Sequence, residues 1–239
     1  MTQPRKRAEA GTPAAAGSQR PANRVVTVAA LGLLALLIGV GLYQSLAGPA
    51  PAESAAQPGA AAAGAVVRED SHRLSTAPDG KVTLVEFLDF ECESCRAVYP
   101  AIEQLRRQYA GRVTFVARYF PLESHFNAMR AARAVEAAAQ QGKFEAMYAK
   151  MFTTQASWGE QQVPQDDLFR SYAVDLGLDM ARWDADYASP ATQARIQTDI
   201  DDGTALGVSG TPSFFLNGER ITPQSYEDLT SALDAALAG

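Results

Sequence analysis

Residues 82–95 read VTLVEFLDFECESC, an apolar run that leads directly into a pair of cysteines. The run from Val82 to Phe90 is nearly continuous in apolar residues and rich in β-branched and aromatic ones, which is typical of a strand buried on both faces of a sheet. Beyond the cysteines, apolar residues recur at the spacing of an amphipathic helix, at Val98, Ile102, Leu105 and Tyr109. The sequence therefore predicts a buried strand, then the cysteine pair, then a helix that Gly111 ends.

A second strand is predicted at Val113–Phe120, so soon after the helix that a parallel βαβ unit with a right-handed crossover is the natural assembly. Helical segments follow, separated by glycine, proline and polar residues, over 127–140, 143–152, 165–176 and 190–206. They predict a helical insert at about 122–206. Its large apolar side chains are assigned to packing rather than to a substrate groove: Phe126, Phe144, Met147, Met151, Phe152 and Trp158.

The C-terminal part of the sequence predicts a hairpin and a helix. Ser213–Leu216 is predicted as a strand, Asn217-Gly218 as the hairpin turn and Arg220–Thr222 as the returning strand. Ser225 is expected to cap a last helix that runs to Leu237. The predicted fold class is α/β, with a βαβ unit and a ββα unit separated by the insert.

The N-terminal region contains an uncharged stretch of 19 residues, Val25–Tyr43, which is long enough to cross a bilayer as a helix. Five basic residues precede it and the next is Arg68: they are Arg5, Lys6, Arg7, Arg20 and Arg24. The positive-inside rule then predicts a single-pass protein of the cell membrane, with its N-terminus in the cytoplasm and its folded domain outside. The alternative is a signal peptide that is cleaved after Ser45-Leu46-Ala47.

Four regions follow from this interpretation. Residues 1–23 are expected to be a disordered cytoplasmic tail, 24–43 a transmembrane helix, 44–65 a linker and 66–239 the folded domain. The linker consists almost entirely of Ala, Pro, Gly, Ser and Gln, a composition that buries too little apolar surface to fold.

Composition excludes several classes of site and partner. The net charge is −6, and no basic run follows the first two dozen residues, which argues against binding to nucleic acid. The two cysteines form one CxxC motif, so they cannot staple distant parts of the chain as structural disulfides do. Two sulfurs are half of a tetrahedral zinc site, and His72 and His125 lie in unrelated contexts. No metal or cofactor is therefore predicted, and neither histidine is given a catalytic role.

The position of the cysteines suggests different roles for them. A thiol at a helix N-terminus lies near unpaired N–H groups and the positive end of the helix dipole, which stabilise its thiolate. Cys92 is therefore the expected nucleophile. Cys95, one turn into the helix, is expected to be more buried and to resolve a mixed disulfide. Glu86 lies in the apolar strand, where it either exchanges a proton with Cys95 or faces outward to solvent.

Over residues 66–239 the sequence resembles the DsbA-like branch of the thioredoxin superfamily. The resemblance rests on the CxxC motif after the first core strand, on the insert, and on residues at matching positions. Glu86 is six residues before Cys92, Pro100 is five after Cys95, and Thr211-Pro212 within VSGTPSFFLNG resembles the cis-proline loop. The family resemblance implies a thioredoxin-like fold and a thiol–disulfide oxidoreductase whose catalytic residues are Cys92, Cys95, Glu86, Thr211 and Pro212. It also implies that Pro212 is cis and faces the cysteines, whereas sequence alone favours a trans proline starting an edge strand.

Resemblance to this branch implies an oxidase of exported proteins that contain cysteines, recharged by a quinone-linked membrane partner. Glu93-Ser94 between the cysteines is unusual for a strong oxidant, and together with Asp89 and Glu91 it predicts a Cys92 that is less acidic than in the most oxidising relatives. A reductase or isomerase fed by a membrane electron carrier is the alternative enzyme, because isomerising relatives also carry a threonine before this proline. A metallochaperone or holdase that binds without turnover is the alternative of another class.

Overall fold

The computed structural model describes residues 66–239. The tail, transmembrane helix and linker predicted for residues 1–65 lie outside the described residues. Within 66–239, none of the helices combines the length and the apolar character needed to cross a bilayer.

A mixed five-stranded sheet forms the centre of the described domain. Its strands are β1 (His72–Ser75), β2 (Thr83–Leu88), β3 (Thr114–Tyr119), β4 (Ser213–Leu216) and β5 (Glu219–Ile221). The spatial order is β1-β3-β2-β4-β5. Strands β2 and β3 are parallel, and the other neighbouring pairs are antiparallel. The predicted βαβ and ββα units are thus confirmed, and β2, which leads to the cysteines, lies in the middle of the sheet.

The helices follow the predicted order. They are α1 (Glu93–Gln108), α2 (Ala128–Ala139), α3 (Phe144–Thr154), α4 (Asp166–Asp175), α5 (Met180–Ala188), α6 (Pro190–Ala205) and α7 (Tyr226–Ala238), with a 3-10 turn at Gln155–Ser157. Helices α2 to α6 form the predicted insert between β3 and β4. The sequence did not predict α5 or β1, because each buries only one large apolar side chain, Trp183 and Leu74 respectively.

The sheet separates two apolar layers. Val85 and Phe87 of β2 belong to the smaller layer, which the first described residues and α6 help to cover. Leu84 and Leu88 belong to the larger layer, together with α1 and most of the insert. Side chains alternate along a strand, so Glu86 projects into the larger layer, on the side of the cysteine pair.

The C-terminal hairpin and helix adopt the local geometry that their sequences favour. Asn217 and Gly218 have φ values of 51° and 90°, as the two central residues of a type I′ turn require. The Asn217 amide donates to the Thr83 carbonyl at 2.9 Å, which aligns the hairpin with β2. Ser225 accepts a hydrogen bond from the amide of Asp228 at 3.1 Å and caps α7 as predicted.

A buried ion cluster joins β3 to the insert. The guanidinium of Arg118 is fully buried and lies 2.6 Å from both Asp199 and Asp202 of α6. It also donates to the Val66 carbonyl at 3.0 Å, and Arg68 pairs with Asp202. These contacts attach the first described residues to α6.

Candidate active site

Cys92 lies at the junction of the central strand and the first helix. It is the N-cap residue of α1, with φ −68° and ψ 122°, and its side chain makes no capping hydrogen bond. Both cysteines are present as free thiols. Cys92 is 7% exposed, whereas Cys95, within the first turn of α1, is fully buried. The structure therefore gives the two sulfurs the unequal accessibility that the sequence predicted.

The loop before β4 faces the cysteine pair. The Thr211–Pro212 peptide bond is cis, as predicted. The Cys92 thiol lies 3.4 Å from the carbonyl oxygen of Thr211, to which it donates. The Thr211 hydroxyl is buried and has no hydrogen-bond partner within residues 66–239, so it is free to donate to a thiolate at Cys92. The expected proximity of this loop to the nucleophile is confirmed.

The surroundings of Cys92 favour its thiolate. Its pKa is lowered from 9.0 to about 5, chiefly by the hydrogen bond from the Cys95 side chain. Burial opposes this change, whereas the Thr211 hydroxyl and the amides of Cys95 and Ser94, which can donate to the thiolate, reinforce it. The amides of Cys95 and Ser94 are the unpaired N–H groups at the start of α1. A pKa of about 5 lies between the extremes of motif cysteines, roughly 3.5 and 7.5.

Cys95 and Glu86 form the buried side of the site. Burial raises the pKa of the Cys95 thiol well above its usual range, and its hydrogen bond to Cys92 and the nearby Glu86 charge add to the effect. The pKa of Glu86 is raised from 4.5 to about 8, mainly by burial, with smaller contributions from the charges of Cys92 and Glu103. Glu86 is 5% exposed, which rules out the alternative of an outward-facing strand residue.

Asp89 and Glu91 are held by the insert rather than left as free negative charges. Asp89 Oδ2 lies 2.6 Å from His125 Nδ1, and Glu91 accepts hydrogen bonds from the amides of Asn127 and Glu160 at 2.5 Å and 3.1 Å. Burial lowers the pKa of His125, but its hydrogen bond to Asp89 and the nearby negative charges outweigh burial and raise it. For the two carboxyl groups, Asp89 and Glu91, burial raises the pKa.

His125 is therefore a site residue that the sequence did not indicate. It lies 36 residues from Asp89 in the chain, in a loop without periodic pattern. The positive charge that it carries when protonated offsets the acidic cluster near Cys92. The attraction between His125 and Cys92 contributes to the raised pKa of His125, and the same attraction favours the Cys92 thiolate.

The apolar side chains of the insert pack as predicted, with one exception. Met147, Met151, Phe152 and Trp158 are buried, and Phe144 packs against the same core layer. Phe126 is 38% exposed, so its assignment to the core is wrong. Its ring instead lies 4.9 Å from the guanidinium of Arg130.

A groove of about 480 Å³ opens beside the cysteine motif. Its lining combines the exposed face of α1, the cis-proline loop and the last hairpin, and includes Ser94, Val98, Pro212, Phe214, Arg220 and Tyr226. A partly apolar groove with this lining can hold a peptide segment beside the cysteine motif. No three potential metal-ligating side chains converge anywhere in the described domain.

Comparison with known proteins agrees with this geometry. A family model for thioredoxin matches residues 70–235. A solved thioredoxin-like oxidoreductase from Silicibacter pomeroyi DSS-3 is 28% identical, with a TM-score of 0.61 over 72% of this chain and 95% of that one. BdbD from Bacillus subtilis shares the fold at 20% identity, with a TM-score of 0.64 over 71% of this chain and 94% of that one. Alpha-DsbA1 of Wolbachia pipientis does so at 16% identity, with a TM-score of 0.64 over 72% of this chain and 94% of that one.

Curated relatives carry a different name. The Na(+)/H(+) antiporter NhaA 1 of Mycolicibacterium gilvum is 38% identical over 162 residues, which are 66% of this chain and 25% of the antiporter. The chain thus spans about a quarter of the length of the curated relatives that it matches. The matched family model covers the sheet, both cysteines and the cis-proline loop. From this match and the fold, the chain belongs to the thioredoxin family.

Proposed function

We propose that the chain oxidises cysteines of exported proteins outside the cytoplasm, using the Cys92–Cys95 pair. The observation that carries this proposal is the position of Cys92. Its sulfur lies at the N-terminus of α1, 3.4 Å from the Thr211 carbonyl oxygen, with a pKa lowered to about 5. A stabilised thiolate favours the reduced form of the pair, and a pair that prefers to be reduced is an oxidant toward client thiols.

The chemistry transfers two electrons from the client to the protein. A client thiolate attacks Cys92 Sγ of the oxidised pair, so a mixed disulfide forms and the Cys92–Cys95 bond breaks. Glu86, with its pKa raised to about 8, gives a proton to the departing Cys95 sulfur. A second client thiol then loses its proton and displaces Cys92 as a thiolate. The client gains a disulfide, and the protein is left with two reduced cysteines.

The low pKa of Cys92 shifts the reduction potential of the Cys92–Cys95 pair relative to that of thioredoxin. At pH 7 a thiol with a pKa of about 5 stabilises the reduced form by roughly 2 kcal/mol more than a thiol with a pKa of about 7, as in thioredoxin. This free energy corresponds to roughly 50 mV for a two-electron couple. Relative to about −270 mV for thioredoxin, the Cys92–Cys95 pair is expected at about −220 mV, which makes it a stronger oxidant than thioredoxin.

The groove beside the motif supports binding of protein clients. Strand β4 begins immediately after the cis-proline, so the backbone around Thr211 is placed to pair with an extended client segment as in strand addition. Ser94 and Pro212 at the groove wall put such a segment next to Cys92. These contacts are consistent with recognition of unfolded or extended cysteine-containing segments rather than of one folded partner.

Two measurements on the full chain test the direction of electron flow. The first is the potential of Cys92–Cys95 in glutathione buffers, and the second is the capture of clients on the Cys95→Ser variant. A potential near −220 mV, with exported proteins trapped on Cys92, is expected for an oxidase. A potential at or below that of thioredoxin would instead indicate a reductase fed by a membrane electron carrier. A higher potential, with the Cys92–Cys95 pair held reduced in the cell, would indicate an isomerase. An absence of trapped proteins would favour a binding module such as a metallochaperone or holdase.

The cellular location and the recharging partner are part of the same proposal. The uncharged stretch Val25–Tyr43, with basic residues before it, supports a single-pass anchor in the cell membrane and an extracytoplasmic domain. Recharging then requires a membrane acceptor of the two electrons, for which a quinone-linked partner is proposed. Full-length mass in washed membranes is expected. A mature protein that begins near Gly48 would refute the anchor and indicate a cleaved signal peptide.

A further inference from the structure

The segment Asp89–Cys92, here called the active-site loop, is held along its whole length by the helical insert. The carboxylates of Asp89 and Glu91 bind His125 and the amides of Asn127 and Glu160 of the insert. The other two residues of the loop, Phe90 and Cys92, are held through their backbone carbonyls. Both carbonyls accept hydrogen bonds from one side chain, that of Gln155.

Gln155 is a buried amide with an unusual pair of acceptors. It lies in the 3-10 turn after α3 and is 2% exposed. Its Nε2 donates to the carbonyl of Phe90 at 2.7 Å and to the carbonyl of Cys92 at 2.9 Å. Both amide hydrogens are thus used on the active-site loop. No other hydrogen bond reaches the Phe90 carbonyl within residues 66–239.

The bond to the Cys92 carbonyl acts on the residue that carries the nucleophile. That carbonyl also accepts the amide of Arg96 at 3.1 Å, the first hydrogen bond of α1. These hydrogen bonds hold the Cys92 carbonyl and so the extended backbone of Cys92. The backbone in turn sets the direction in which the sulfur points, toward the Thr211 carbonyl and the amides of Ser94 and Cys95. The donated hydrogens also neutralise part of the negative end of a carbonyl dipole that lies near the sulfur.

We propose that Gln155 is a positioning residue for the Cys92 nucleophile, through which the helical insert sets the reactivity of the thiol. The proposal rests on the proposed function and deepens it, because it assigns the tuning of the site to a residue outside the thioredoxin core. Gln155 touches neither client nor sulfur. It acts through the backbone of Phe90 and Cys92.

The test compares Gln155→Met with Gln155→Glu in the full chain. Met has nearly the shape of Gln and no donor, and a buried protonated Glu keeps one donor. The readout is the pH midpoint of Cys92 alkylation, about 5 in the wild type. Gln155→Met is expected to raise the midpoint by about one unit, roughly a tenfold loss of thiolate at acidic pH, and Gln155→Glu by less. Gln162→Met, at an exposed position of the insert after the 3-10 turn, is the matched control and keeps the wild-type midpoint.

A measurement on the wild type covers the case in which the variants do not fold. The side-chain amide protons of Gln155 are expected to exchange slowly with solvent and to shift in NMR spectra with the midpoint of Cys92 ionisation. Amide signals that ignore this titration would overturn the proposal, as would folded Met and Glu variants with the wild-type midpoint. Neither readout needs a client or a redox partner. A shifted midpoint without client oxidation would refute only the proposed function, and normal oxidation with an unshifted midpoint would refute only the role of Gln155.

Discussion

Replacing Glu86 with Gln is expected to change how the stability of the protein depends on pH. Glu86 is buried on the α1 side of β2, and its pKa is raised from 4.5 to about 8. Because the folded-state pKa lies above the unfolded one, its contribution to stability is complete below about pH 4.5 and is lost as pH rises through about 8. Each pKa unit corresponds to about 1.4 kcal/mol, so the total loss is about 5 kcal/mol.

Most of this loss falls below neutral pH. At pH 7 the unfolded chain has ionised Glu86, whereas the folded protein still holds it protonated, and the loss has reached about 3 kcal/mol. Gln has nearly the same shape and cannot ionise, so this pH-dependent loss of stability does not arise in Glu86→Gln. Its stability relative to the wild type should therefore improve steadily from about pH 4 to about pH 9.

The assay is urea unfolding of the reduced protein at about pH 4, 7 and 9, for the wild type and Glu86→Gln. Other buried groups, such as Asp89 and Glu91, titrate in both proteins, so their contributions cancel in the difference. Glu227→Gln removes one exposed carboxylate from α7 and is the matched control for loss of charge. A difference between Glu86→Gln and the wild type that stays constant across this range would refute the buried, protonated state of Glu86.

Three other substitutions have expected outcomes. Cys95→Ala removes the hydrogen bond that contributes most to the low pKa of Cys92, so the pH midpoint of Cys92 alkylation should rise by about one unit or more. An unchanged midpoint would show that Cys95 does not lower the pKa of Cys92. Gly203→Ala would place a methyl carbon 2.8 Å from the Phe120 ring. Urea unfolding should therefore show a free energy of unfolding lower by about 1 to 3 kcal/mol, despite the higher helix propensity of Ala. A more stable variant would show that the Phe120 ring moves aside without cost. Arg118→Met removes the buried cation between Asp199 and Asp202, which keep Arg195 and Arg68 as partners, so the free energy of unfolding should fall by about 3 kcal/mol, the low end for a broken buried ion pair. A wild-type unfolding midpoint would show that the ion pairs of Arg118 contribute nothing to stability.

The order of elements and the place of the cysteines followed from local sequence patterns. The apolar run before Cys92 and the helical stripe after Cys95 each bury a continuous face, and such periodicity is visible within a dozen residues. Asn217-Gly218 specified its turn in the same way, because the φ values of the turn suit only those residue types. Strand β1 and helix α5 were missed because each contributes one large buried side chain, too little for a periodic signal.

The tertiary structure decided what surrounds the thiol. Sequence left open whether Glu86 faces the core or solvent, since both faces of a strand are compatible with one carboxylate in an apolar run. It also gave no sign that His125 and Gln155 reach the active-site loop, over separations of 36 residues and of 63 to 65 residues. Apolar patterns reveal burial because many residues share them, whereas a hydrogen bond depends on two groups that only the folded chain brings together. The sequence alone therefore determined where the cysteine pair stands in the fold, and only the packed insert determined the charges and dipoles that act on it.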